Sequence, residues 1–245
     1  MRQILPTTKK VIIVGATSGI GRELALLYLR AGHRVGVTGR RRELLDSLQA
    51  EFPGQVETAC YDVTSTYNRR QLESLVQRLG GLDLLVYSSG YGAVSDALDV
   101  SIDDTTVGIN VRGFLETVHY GWEYFVQQGH GHLATISSIA SIRGNSRAPA
   151  YSATKAFQSN YFEGLYMKAR RLGLKIAVTD IEPGFVATKM AAGEGLFWVA
   201  PVEKAALQIY RALEARRRKV YVTRRWRLIA WMMRWMPGAI YHRIA

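Results

Sequence analysis

The sequence predicts an α/β fold, a parallel sheet with helices packed on both faces. Three observations carry this. Short apolar runs alternate with helically spaced stretches along most of the chain. The runs are apolar at successive positions rather than at every second one, as strands buried on both faces require. The length, 245 residues, suits one α/β core, and no Pro/Ser-rich linker or repeat divides it.

The elements follow in order. Val11–Val14 is an unbroken β-branched run and reads as the first strand. A helical pattern follows over 20–31, then a strand at Arg34–Thr38 and a helix over 41–50. Val56–Tyr61 and Leu82–Tyr87 read as strands, with a helix over 67–79 between them. A long helix over 101–127 leads to a strand at His132–Ile136. A helix over 150–172, a strand at Lys175–Ile181, a helix over 202–217 and a strand at Val220–Thr223 complete the pattern.

Composition narrows the class. Apolar residues make up 48% and charged residues 21%, which excludes disorder as the main state. The single cysteine, Cys60, excludes a disulfide scaffold and fits a reducing compartment. Met1–Lys10 is too short and mixed for a secretion signal, and no apolar run approaches the roughly 20 residues of a spanning helix. A cytoplasmic protein is expected. The net charge is +12. Residues 211–245 hold ten basic residues and one acid, Glu214, hence +9, and leave +3 for the rest. The basic character therefore belongs to the C-terminal end, and with no second basic surface a nucleic-acid role is not expected. The histidines and Cys60 show no ligand spacing, so no metal is expected.

The first candidate site follows the first strand, at Gly15-Ala16-Thr17-Ser18-Gly19-Ile20-Gly21. A glycine turn between a strand and a helix start exposes backbone N–H groups and lets a pyrophosphate approach. The second strand ends in Thr38-Gly39-Arg40. An arginine at that point suits a ribose 2′-phosphate where an acid would hold the 2′-OH, so NADP is expected rather than NAD. Arg42 reads as a solvated helix start. Asp62 is set to accept a hydrogen bond from the adenine amino group. Ser88-Ser89-Gly90-Tyr91-Gly92 supplies small residues over which a dinucleotide could lie.

The second candidate site is Tyr151 and Lys155, four apart on one helical face. An ammonium beside a phenol lowers its pKa and makes it a workable proton donor or acceptor. Ser138, at the end of the fifth strand, can bond a substrate oxygen as charge develops. Asn110, inside the long helix, needs a partner if buried, and its side chain can hold a water linking to the lysine.

Together these residues resemble the short-chain dehydrogenase/reductase family over roughly residues 9–223. The Gly-x-x-x-Gly-x-Gly loop matches Gly15, Gly19 and Gly21, and the Asn–Ser–Tyr–Lys tetrad matches Asn110, Ser138, Tyr151 and Lys155. Pro183-Gly184 and Thr188 match the segment beside the nicotinamide. Val14 and Tyr87-Ser88-Ser89-Gly90 depart from the family's usual Thr and Asn-Asn-Ala-Gly. The resemblance implies a doubly wound Rossmann fold with a seven-stranded parallel sheet. It implies hydride transfer between nicotinamide C4 and a carbonyl or alcohol, with Lys155 on the nicotinamide ribose. Cofactor contacts are then expected at Gly15, Thr17, Ser18, Gly19, Ile20, Gly21, Arg40, Asp62, Val63, Ser89, Gly90, Tyr151, Lys155, Pro183, Gly184, Val186 and Thr188. It also implies a homodimer or homotetramer built on helices bearing residues such as Phe157, Tyr161, Phe162 and Leu165.

The resemblance further implies that residues 185–200 form a variable, mobile lid of the substrate cleft, in which Gly193 and Gly195 would act as hinges and Leu196, Phe197 and Trp198 would line an apolar pocket or simply dock on the body. The expected units are a catalytic domain, 1–223, and a tail, 224–245, read as an amphipathic helix stopped by Pro237-Gly238. Arginine and tryptophan around its short apolar core suit peripheral contact with a membrane. A helix capping its own cleft, or docking a partner subunit, suits the same residues. The expected activity is NADPH-dependent reduction of a hydrophobic carbonyl, with an acyl-carrier-linked substrate open. The alternative from another class is a non-catalytic NADP-binding scaffold or sensor that docks through the tail.

Overall fold

Val11, Ile12, Ile13 and Val14 are all fully buried, and they divide alternately between two opposite cores. That division organises the molecule. The computed structural model describes residues 8–190 and 196–244. Its strands are β1 (Lys10–Val14), β2 (Arg34–Gly39), β3 (Val56–Cys60), β4 (Leu84–Tyr87), β5 (His130–Ile136), β6 (Lys175–Pro183) and β7 (Lys219–Val222). They form one sheet in the order β3-β2-β1-β4-β5-β6-β7, and every pairing is parallel.

Helices α1 (Gly19–Arg30), α2 (Arg42–Glu51), α3 (Asn68–Leu79), α4 (Val100–Val107), α5 (Phe114–Gln128), α6 (Pro149–Arg171) and α7 (Val202–Glu214) cover the two faces. Leu24, Tyr28, Leu45 and Ile209, from α1, α2 and α7, pack with Val11 and Ile13. Leu72, Phe114, Phe125 and Phe162, from α3, α5 and α6, pack with Ile12 and Val14. At Val14 the register runs to Thr38 on one side and Tyr87 on the other. The chain goes one way from β1 to β2 and β3, and the other way to β4 and beyond. Such a reversal opens a crevice at the carboxyl ends of the strands, where ligands of doubly wound folds bind.

The structure refines the expected elements in four places. The long helix is interrupted by a π-helical turn, Gly108–Gly113, between α4 and α5. Helix α7 ends at Glu214, short of the expected 217, and Arg216 adopts a left-handed conformation just beyond it. The tail forms two helices, α8 (Trp226–Trp235) and α9 (Gly238–Ile244), where one was expected. Phe162 and Leu165, read as interface residues, lie in the core instead, while Phe157 and Tyr161 stay half-buried. Gly193 and Gly195 lie outside the described residues. Among the described residues, no helix is long and apolar enough to cross a membrane.

Candidate active site

The loop after β1 is closed tightly at its base. Gly15 and Ala16 both donate to the Thr38 carbonyl, at 3.2 and 2.9 Å. A side-chain carbon at Gly15 would lie 2.6 Å from the Ser89 nitrogen, and one at Gly21 2.3 Å from the Gly15 carbonyl oxygen. Only glycine lets β1, the start of α1 and the Ser88-Ser89 segment meet there. Ser18, before α1, is extended and makes no capping bond with its side chain, and the first turn of α1 holds no acid. The turn, the helix start and their N–H groups suit an anion.

The arginines divide differently from expectation. Arg40 is exposed and meets the Asp62 carboxylate at 3.3 Å. Arg41 turns onto the glycine loop and donates to the hydroxyls of Thr17 at 2.6 Å and Ser18 at 2.7 Å. Asp62 also accepts from the Thr64 amide and hydroxyl, at 2.9 and 2.8 Å. Its burial would raise the carboxyl pKa, but these donors and Arg40 hold it below the usual range. Val63 is buried behind it.

The four tetrad positions come together at the ends of β4 and β5. Asn110 lies on the π turn, fully buried. Its amide is bonded on both sides to the Tyr91 backbone, accepting at 3.0 Å and donating at 2.7 Å, and it donates to Thr154 at 3.0 Å. The side chain thus fixes the Gly90-Tyr91 segment, and the backbone carbonyl of Asn110 carries the link to Lys155. The bridge is made by a residue that the sequence patterns did not single out. Lys155 donates to the Ile136 carbonyl and to Gln158 Oε1, both at 2.9 Å, and Gln158 Nε2 donates to the Asn110 carbonyl at 2.8 Å. The ammonium has three protons, so one stays available for a ligand hydroxyl. Gly90 lies beside that ammonium, where a side-chain carbon would be in ordinary contact at 3.5 Å.

Lys155 Nζ sits 5.9 Å from the Tyr151 ring centre. A side-chain carbon at Gly92 would press on that ring at 2.3 Å, so Gly92 gives the tyrosine its position. Burial lowers the Lys155 pKa to about 7, opposed by Asp180. Burial raises that of Tyr151, opposed by the Ser138 hydroxyl. Without a bound ligand the phenol thus keeps its proton. This differs from the expected lowering by the neighbouring ammonium because loss of hydration dominates.

The expected substrate side is aromatic and shared with the tail. Pro183 ends β6, and the Gly184 amide bonds to the Val222 carbonyl at 2.7 Å. Trp226, buried, rests directly on Gly184, where any side-chain carbon would lie 2.0 Å from its ring. Phe185, Phe197 and Trp198 surround Trp226 with ring centres 5.1 to 6.2 Å away. Arg225 lies over the Trp198 ring at 5.0 Å and donates to the Trp198 carbonyl at 3.0 Å. Ile139, Ile142 and Ala230 join the cluster. Val186 is buried, and Thr188 lies 3.2 Å from where Gly19 would carry a side-chain carbon, so this segment closes over the loop. The inner face of α8 thus packs on the segment after β6 and on the turn after Ser138.

Comparison with known proteins bears on the whole arrangement. The family model described as short chain dehydrogenase matches residues 9–195. An uncharacterized oxidoreductase of Staphylococcus aureus (strain MW2) is 33% identical over 193 residues, covering 76% of this chain and 81% of the relative. A short chain dehydrogenase/reductase of Burkholderia phymatum, solved in complex with NAD, has a TM-score of 0.80 at 18% identity and covers 92% of each chain. ElxO with NADP bound has a TM-score of 0.76 at 21% identity, covering 87% of this chain and 96% of that one. The chain is an oxidoreductase of the short chain dehydrogenase family.

Proposed function

We propose that the protein is an NADPH-dependent reductase of an apolar ketone or aldehyde. The observation that carries this reading is the convergence of Tyr151, Lys155 and Ser138 on one opening at the ends of β4 and β5, beside a glycine loop held by Arg41. Gly15, Thr17, Ser18, Gly19, Ile20 and Gly21 would cradle the pyrophosphate. Asp62, Val63, Ser89 and Gly90 would flank the adenosine side, and Pro183, Gly184, Val186 and Thr188 the nicotinamide. Lys155 has one proton for the nicotinamide ribose. Bound NADPH supplies the hydride. Tyr151 donates a proton to the carbonyl oxygen as the hydride reaches the carbon, leaving a phenolate beside Lys155 and an alcohol. Ser138 donates to the same oxygen as its charge grows. The phenolate then regains a proton from solvent. A panel of carbonyls with both cofactors tests the reading. Rapid NADPH oxidation with at least one apolar carbonyl is expected, and tight NADPH binding with no turnover would favour a sensor.

NADP is favoured because Arg40 and Arg41 bracket the end of β2, and Arg41 spans the loop as a planar fork suited to phosphate. Arg41→Ala is expected to raise the KM for NADPH at least tenfold and that for NADH by clearly less, because the loop contacts with Thr17 and Ser18 serve both cofactors while only NADPH carries the phosphate that a charge-assisted hydrogen bond from Arg41 would hold. Equal effects on the two cofactors would remove Arg41 from the 2′-phosphate site.

Residues 1–223 form the proposed catalytic domain and 224–245 its tail. A cytoplasmic location fits the lone Cys60. Phe157, Tyr161 and Trp122, half-buried on α5 and α6, suit a homo-oligomer. The outer face of α8 supports a further reading. Leu228, Trp231 and Trp235 are 67%, 67% and 71% exposed, and Arg224, Arg225, Arg227 and Arg234 surround them with no acid after Glu214. A second copy docking there would oppose arginine to arginine. An anionic lipid surface suits both the charge and the rings. Binding to phosphatidylglycerol vesicles is expected to weaken with salt and with Trp231→Ser/Trp235→Ser, and equal binding to neutral vesicles would reject it.

A further inference from the structure

We propose that Gln158 is a positioning residue of the proton-transfer site. It ties the Lys155 ammonium to the Asn110 carbonyl and so helps the buried lysine keep its charge beside Tyr151. The proposal rests on reading Tyr151 and Lys155 as the proton-transfer pair.

Gln158 lies three residues beyond Lys155 on α6 and is 0% exposed. Its amide cannot be turned over. A carbonyl only accepts and an ammonium only donates, so Nε2 must face Asn110 and Oε1 must face Lys155. The two bonds, at 2.8 and 2.9 Å, join α6 to the π turn through the lysine. The Ile136 carbonyl, also at 2.9 Å, fixes the ammonium from β5. The lysine is thus held by two oxygens from two directions, with its remaining proton free toward the opening. Oxygens that accept from an ammonium favour its charged form, while burial opposes it. The charged group acting on Lys155 is Asp180 of β6, itself bonded to Ser137 and Ser159 and lying 3.8 Å from Lys219, with Glu182 beside it. Tyr151 faces it from its own helix. The π turn, the end of β5 and the Gly90 segment contribute neutral groups. Without Gln158, Asp180 and a single carbonyl must hold the charge against burial. The Asn110 carbonyl also loses its partner on α6.

The test follows alcohol oxidation with NADP+ across pH 6 to 10, because the phenolate form of Tyr151 carries that direction. In Gln158→Met the lysine is neutral at lower pH and no longer favours the phenolate. The rise of kcat with pH is then expected to move up by about one unit. The KM for NADP+ should stay within about twofold, since Gln158 lies behind the lysine and touches neither ligand. Gln158→Glu restores an acceptor for Lys155 and is expected to return the rise to its wild-type position. Gln158→Asn, too short to reach, should shift like Met and serves if the Met variant does not fold. A purely structural role would lower the melting temperature or scale kcat equally at every pH. Superposed profiles for wild type and Met, or for wild type and Asn, would overturn the proposal, as would a Glu variant shifted as far as Met. Tyr151→Phe, measured alongside, separates the two failures. If it still turns over, the reading of the site falls. If it is inactive while the Gln158 profiles do not move, only the role of Gln158 falls.

Discussion

Tyr151→Phe is expected to lower kcat for carbonyl reduction by about 10²–10⁴-fold, the usual contribution of a positioned general acid. The substitution removes one oxygen and keeps the ring, so the contact with Gly92 and the packing around it survive. NADPH affinity should stay within about threefold, because Arg41, the glycine loop and Lys155 are untouched. The change is thus expected in kcat with little change in KM, the signature of an interaction made only as the proton moves. The raised pKa of Tyr151 adds a pH dependence. Reduction needs the protonated phenol, so wild-type kcat should hold through neutral pH and fall only on the alkaline side, and the residual rate of the Phe variant should lack that fall. Stopped-flow NADPH oxidation and fluorescence titration measure the two quantities. Retained turnover would remove Tyr151 from the chemistry.

Trp226→Ala carries the largest expected cost in stability, about 3–5 kcal/mol for deleting a fully packed indole. The ring rests on Gly184 and is enclosed by Phe185, Phe197 and Trp198, so alanine leaves a cavity there. A chain of this length should lose roughly 10 °C in melting temperature if the loss is felt globally. If α8 detaches alone, the amides of residues 226–235 should exchange freely while the sheet stays protected. Either outcome should raise the KM for apolar carbonyls if, as proposed, the same rings line the substrate side. Trp226→Phe should recover most of both effects. An alanine variant with unchanged melting, exchange and KM would show that the cluster is dispensable.

Much of this arrangement was legible in the residues. The glycine loop shows itself because three glycines between a strand and a helix have few other uses, and the structure confirms that Gly15 and Gly21 admit no side chain. The strands were legible because parallel strands covered on both faces must be apolar throughout. What stayed hidden depends on rotation about an axis. Arg40 and Arg41 are adjacent, and only the turn from β2 into α2 decides that the second one faces the loop. Helix α8 is apolar on both sides, so composition could not say that Trp226 and Ala230 face inward while Trp231 and Trp235 face out. Gln158 did leave a signal. Thr154, Gln158 and Phe162 recur every four residues on the buried face of α6, and a long polar side chain in such a row needs partners of its own.

The seat of Trp226 on Gly184 has a consequence for biosynthesis. Chains emerge from the ribosome N-terminus first and fold as segments become available. Strands β1 to β4 can pair once residue 87 is out, and the loop that would receive the nucleotide can form with them. The aromatic cluster on the other side waits for residues 226–235, which are made long after β4. A nascent or prematurely terminated chain would therefore have its glycine loop in place and Gly184 uncovered. Assembly of the aromatic cluster on Gly184 therefore waits on translation of α8.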